Sequence, residues 1–267
     1  MLRIVVLCSV VAVVLMDAIT LGAASVAGAQ EASPVAAETS LEPLFETTVP
    51  AESLPSGPGL IFLIWYATIA PGVDVTVPDE LLASSSGPQL EHVLAGELTL
   101  RVDGPLQVVR ASAGGTPGPE EGVPPGTEVT LRAGDTAVYA WGVPIVYANR
   151  GAEPVHLASG GVFDGAQAGS GPGYLVNNYD AVSPMPSLPS GPITLTLEQA
   201  TLAPGAMLPG APPGAVRAVT SGPKVAYLPE ASDGSVSNVL REPVMVYVLT
   251  LTPAGPESGT PEATPTV

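Results

Sequence analysis

The sequence predicts an all-β protein, a sandwich or barrel of short strands. Apolar and polar residues alternate with a period of two. Leu98, Leu100 and Val102 oppose Glu97, Thr99, Arg101 and Asp103, and Ile193, Leu195 and Leu197 oppose Thr194, Thr196 and Glu198. Turn signals bound such runs at Asp103-Gly104, Gly134-Asp135 and Asp233-Gly234. The 31 Pro and 30 Gly in 267 residues leave no long stretch with a helical period and exclude a long coiled coil.

At the amino end, Arg3 precedes an apolar run from Ile4 to Met16, and small residues continue to Ala27-Gly28-Ala29. This is the three-part pattern of a secretory signal peptide, assigned to residues 1–29. The run falls short of the roughly 20 residues a spanning helix needs, and Asp17 stands directly behind it; an uncleaved anchor is the alternative. Cleavage after Ala29 leaves 238 residues and removes Cys8, the one cysteine, so the exported chain has no disulfide to rely on. The expected location is secreted or extracytoplasmic, at the cell envelope, with no membrane span in the mature chain.

Residues 30–52 are small, polar and acidic and are expected to be a flexible leader. The middle of the chain carries a repeat. SLPSGP stands at Ser53 to Pro58 and again at Ser187 to Pro192, and each copy leads through an apolar segment to ATxAPG, ending at Gly72 and at Gly205. A weaker echo is Glu153-Pro154-Val155 with Glu242-Pro243-Val244. Gly72 lies 81 positions before Glu153 and Gly205 only 37 before Glu242, so the second copy is reduced inside. The expected organisation is a barrel at 53–165, a linker at 166–186, a shorter second β copy at 187–252 packed against the barrel, and a disordered Pro/Thr-rich tail at 253–267. The cluster Gly114, Gly115 and Gly118 reads as a flexible loop.

Only 8 Lys and Arg face 25 Asp and Glu, giving a formal charge of −17. This excludes a phosphate-binding face for nucleic acid and disfavours an anionic membrane surface. No Walker loop, nucleophile elbow or Cys-His pair is present.

Two segments carry a family resemblance. Gln89 to Gly104 reads QLEHVLAGELTLRVDG, and Gly134 to Asn149 reads GDTAVYAWGVPIVYAN. The chain resembles the cupins over about Leu60 to Phe163. Gly134, Gly142 and Asn149 match the spacing of the second cupin motif, and Ala70-Pro71-Gly72 is similar to the turn that opens the first. The resemblance implies a jelly-roll β-barrel whose mouth holds a divalent metal on three His and one Glu. Residue by residue the ligands are missing. Gln89 stands at the Glu position, Ile145 at the second-motif His position and Ala140 at the Pro position; the stretches where the other two His would fall contain none. An isoleucine cannot coordinate a metal and an amide oxygen is a poor, neutral ligand, so the expectation is no metal and no cofactor.

Strand parity sets the remaining candidates. If Gln89 points into the barrel, Glu91 and Val93 do so too, and His92 faces away as a surface or inter-strand residue. Glu91 is either a carboxylate solvated at the open rim or an enclosed group that must pair, take up a proton or bind something. Ile145 and Tyr147 share parity, and Trp141, Tyr139 and Tyr147 cluster around the second motif as either pocket wall or core. Asn149 is read as satisfying backbone at a strand end, and Asp79 and Glu80 as exposed loop. The ligand-binding candidates are Gln89, Glu91, Trp141, Ile145 and Tyr147; no catalytic or metal residue is assigned. The expected function is an exported, metal-free cupin-like module that binds a small neutral or cationic molecule or acts as an envelope-associated recognition module. The alternatives are a cupin-type enzyme with an unusual site including Glu91 and His156, and a structural envelope protein, with a homodimer as the candidate assembly.

Overall fold

The computed structural model describes residues 39–55, 59–77, 87–112, 117–140, 142–164, 178–184, 191–222, 228 and 233–254. The expectations for residues 1–29, for Trp141, for Asp79 and Glu80, and for most of the repeated hexapeptide lie outside them. The strands are β1 Glu42–Val49, β2 Leu60–Ile69, β3 Asp74–Thr76, β4 Pro88–Ala95, β5 Glu97–Val102 and β6 Leu106–Ala111. They continue as β7 Pro117–Val123, β8 Glu128–Arg132, β9 Thr136–Ala140, β10 Ile145–Ala148, β11 Val155–Asp164 and β12 Asn178–Pro184. The last five are β13 Ile193–Leu202, β14 Met207–Leu208, β15 Val216–Ser221, β16 Val236–Ser237 and β17 Val244–Pro253. The one helical element among the described residues is a 3-10 turn at Ala51–Ser53, and none is long and apolar enough to cross a membrane.

One sheet has the order β12-β2-β11-β4-β9-β6-β7 and a second β3-β10-β5-β8. Counting β2, β3, β4, β5, β8, β9, β10 and β11 as strands one to eight, the two sheets run 1-8-3-6 and 2-7-4-5. That is the jelly-roll order, with the hairpin β6–β7 inserted as an extension of the larger sheet. A third sheet, β1-β13-β17-β15, and the small pair β14-β16 repeat a part of it. With β13, β14, β15, β16 and β17 counted as one, two, three, seven and eight, they run 1-8-3 and 2-7, and no counterpart of strands four to six occurs among the described residues.

Strand β2 shows how the layers stack. Ile61, Leu63, Trp65, Ala67 and Ile69 point into the barrel core with Val93, Leu98, Leu100 and Leu157. Leu60, Phe62, Ile64 and Tyr66 point the other way, into a second core with Phe45, Ile193, Leu195, Leu197, Leu249 and Leu251. Both faces of β2 are covered, which is why its sequence LIFLIWYATI is nearly unbroken apolar rather than alternating. Behind the third sheet, Ala200, Leu202, Val246 and Val248 meet Leu208 and Val236 in a third, smaller core. The reduced copy thus covers the barrel with one face and keeps a small core of its own on the other.

Four boundaries differ from the sequence expectation. Glu42–Val49, inside the expected leader, is strand β1, paired antiparallel to β13. Phe45, Thr47 and Val49 are buried there while Glu46 and Thr48 are exposed, an alternation that the polar composition masked. Asn178–Pro184, inside the expected linker, is β12, paired to β2. Gly118 belongs to strand β7 rather than a loop; a Cβ there would come within 2.8 Å of the Arg110 carbonyl oxygen, so the hairpin needs glycine. Pro253, assigned to the tail, ends β17 and pairs with Ile193.

Two asparagines close equivalent corners. Asn149 Nδ2 donates to the carbonyls of Ile69 at 2.9 Å and Glu153 at 2.8 Å, and its Oδ1 accepts from Gly151 N–H at 3.0 Å. Asn238 Nδ2 donates to Leu202 at 2.8 Å and Glu242 at 2.9 Å, and its Oδ1 accepts from Leu240 N–H at 2.9 Å. The backbones match as well. Gly72 N–H donates to Asn149 and Gly205 N–H to Asn238, both at 2.8 Å. Gly72 and Gly205 sit at φ 73° and 75°, where a side chain is strained.

Candidate ligand site inside the barrel

The site is built on β4. Its register places Glu91 between Ala137 of β9 and Ser159 of β11, and Gln89 between Tyr139 and Gly161. Small neighbours leave room for the long polar side chains in the barrel interior. Gln89 and Glu91 are each 1% exposed, and Ser159, Tyr139 and Tyr147 are buried around them. The two readings of Glu91 are therefore resolved: the carboxyl is enclosed, not solvated at a rim.

Glu91 is the hub. Gln89 Nε2 donates to its Oε1 at 2.8 Å. Tyr139 Oη from β9 and Tyr147 Oη from β10 are hydrogen-bonded to the same oxygen at 2.9 and 3.0 Å, and lie 2.5 Å from one another. Ser159 Oγ bonds the other carboxyl oxygen. Because β9 and β10 belong to opposite sheets, the cluster ties the two walls of the barrel together. Burial pushes the Glu91 carboxyl above the usual range, against the opposing effect of its hydrogen bonds, Ser159's the largest. Burial and the neighbouring Glu91 push the Tyr139 phenol well up. Gln89 Oε1 is buried and has no hydrogen-bond partner among the described residues, and a buried acceptor of this kind calls for a donor.

Parity sorts the other candidates. Ile145 is fully buried in the barrel core beside Tyr147. His92 faces the other way and is 3% exposed, so it is an inter-strand rather than a surface residue. Its Nδ1 lies 2.8 Å from Thr136 Oγ1. Burial lowers its pKa to about 4, against the attraction of Asp135. His156 also points away from the barrel core, with Nδ1 3.1 Å from Thr68 Oγ1 and its ring stacked on Tyr66 at 5.7 Å. Glu91 and His156 are not brought together, which removes the composite site considered from sequence. Asn149 is the structural corner expected of it.

Sequence reasoning missed Ser159, and did not set Tyr139 apart from its aromatic neighbours. The signal for Ser159 was its place in Ser159-Gly160-Gly161, a run of small residues inside a strand, which marks a close approach.

The residues present do not fit the metal that the cupin resemblance implies. The chain's two histidines, His92 and His156, face away from the cluster, and Ile145 fills a ligand position. The oxygens of Glu91 are already engaged by neutral partners. Among the described residues no three His, Cys, Asp or Glu side chains converge as ligands.

No family model matches the sequence, and no curated protein matches it. Solved structures are similar in fold. The Cupin_2 domain of an XRE-family transcriptional regulator from Enterobacter cloacae matches at 18% identity and TM-score 0.26, covering 44% of this chain and 95% of that one. YhaK from Escherichia coli matches at 14% and 0.37, covering 78% and 94%. A Cupin 2 conserved barrel domain protein from Leptotrichia buccalis matches at 12% and 0.25, covering 77% and 88%. The chain is an all-β protein with a cupin-like jelly roll. The strand orders 1-8-3-6 and 2-7-4-5 define that jelly roll.

Proposed function

We propose that the protein is a metal-independent binding module that holds a small molecule inside its jelly-roll barrel. One observation carries this reading: a hydrogen-bonded cluster of Gln89, Glu91, Tyr139, Tyr147 and Ser159 sits buried in the barrel and leaves the Gln89 acceptor open. A core needs no such cluster, and burying polar groups costs free energy unless each is paired. Convergent polar groups set among apolar walls are a usual feature of small-molecule sites. The pattern of residues 1–29 supports work outside the cytoplasm, in a secreted form or at the cell envelope.

Thermal-shift screening of small sugars, polyols and amines against the mature chain tests this. Stabilisation of the wild type by a member of that set, lost in Gln89→Leu, is the expected result. A stable dimer in light scattering with no stabilising compound supports the structural alternative.

A further inference from the structure

We infer that Glu91 is held as the neutral carboxylic acid, so that the barrel takes an uncharged hydroxyl or amide donor and refuses cations; this deepens the binding reading above and rests on it. A count of protons leads there. Four oxygen–oxygen contacts join the cluster: Tyr139 to Glu91, Tyr147 to Glu91, Tyr139 to Tyr147, and Ser159 to Glu91. With Glu91 ionised, only three hydroxyl hydrogens serve the four contacts, and one pair of oxygens, 2.5 to 3.0 Å apart, faces without a hydrogen between. One carboxyl proton completes the set. Glu91 donates to Tyr139, Tyr139 to Tyr147, and Tyr147 back to Glu91 Oε1, while Ser159 donates to Oε2.

The surroundings agree. The groups facing Glu91 are Gln89 on its own strand, Tyr139 on β9, Tyr147 on β10 and Ser159 on β11. None is cationic, and a fully buried carboxylate without a cation is costly. Burial drives the carboxyl in the same direction. With the acid neutral and its oxygens engaged, the open acceptor is Gln89 Oε1. That oxygen suits a hydroxyl or an amide N–H and offers a cation no counter-charge.

Infrared spectroscopy of the full mature chain at pH 7 tests the assignment. The carbonyl stretch of a protonated carboxyl is expected, lost in Glu91→Gln and kept in Glu198→Gln. Its absence from the wild type, or its survival in Glu91→Gln, overturns the inference. Should Glu91→Gln fail to fold, Tyr139→Phe serves: a shifted band supports the ring and an unshifted one contradicts it. Stability gives the sign independently. A folded-state pKa above the unfolded value favours the folded state at low pH and is lost as pH rises. As pH rises above the ordinary glutamate value of about 4.3, the melting temperature of the wild type should therefore fall relative to Glu91→Gln; a rise contradicts a neutral acid. Loss of the band on adding millimolar manganese(II) also overturns the proposal. An ionised Glu91 in a protein that still binds an uncharged compound defeats this inference alone, whereas absence of any bound compound defeats the binding reading and leaves the proton in place.

Discussion

The barrel and its reduced copy share a corner and differ at the centre. Ser159 pairs with Trp65 on one side and Glu91 on the other. Val248, equally placed from the second corner, pairs with Glu198 and Val219. Where the barrel holds Glu91 and Ser159, the copy holds two valines, buried in its own small core. Arg217 takes the place of Gln89, opposite Thr250. It donates to the carbonyl of Pro209 at 2.7 Å, and burial lowers its pKa despite the neighbouring Glu198. The Asn149 and Asn238 hydrogen bonds are the same in kind and nearly in length, so they belong to holding strands together. Among the described residues the polar centre occurs where both walls of a barrel exist to carry Tyr139 and Tyr147, and the proposed binding therefore belongs to the complete lobe.

The comparison is open to breaking, first at its largest effect. Residues 187–267 expressed alone are expected to stay unfolded by circular dichroism, because the face carrying Leu195, Leu197 and Leu249 loses its cover. Cooperative melting of that fragment would mean the copy is a domain in its own right. Phe62→Ala, at the fully buried contact between lobes, should cost about 3–5 kcal/mol in denaturant unfolding. Asn149→Ala and Asn238→Ala should each cost about 3 kcal/mol, three hydrogen bonds at about 1 kcal/mol apiece. Unequal losses would show that the corners do different work.

Acidification gives a smaller, graded effect. His92 has a folded pKa of about 4, below the ordinary value of about 6.5. The unfolded chain binds the extra proton, so stability is lost as pH falls from about 6.5 through 4, by up to about 3 kcal/mol. In His92→Gln that part of the acid sensitivity should disappear from a pH series of melting temperatures. His92 and Glu91 are neighbours on β4 facing opposite cores, one favouring the fold at higher pH and the other at lower.

Much of the fold and part of the site were legible in the sequence, and the reasons are local. Period-two parity put Gln89 and Glu91 on one face and His92 on the other, and grouped Ile145 with Tyr147. ATxAPG marked both corner turns. What escaped depends on contacts between distant segments. Strands β1 and β12 are defined by the sheets they join, β13 and β2, not by their own composition. Ser159 becomes a partner of Glu91 only through the register of β11 on β4, which no single strand encodes. Asn238 went unnoticed because its corner is recognisable only beside Asn149.

The central claim is that the barrel's centre works without a metal. Elemental analysis of the purified mature protein tests it most directly. The account predicts no transition metal at stoichiometric level, in the wild type or in Glu91→Ala. One equivalent of manganese, iron, nickel or zinc in the wild type, lost in Glu91→Ala, would contradict it.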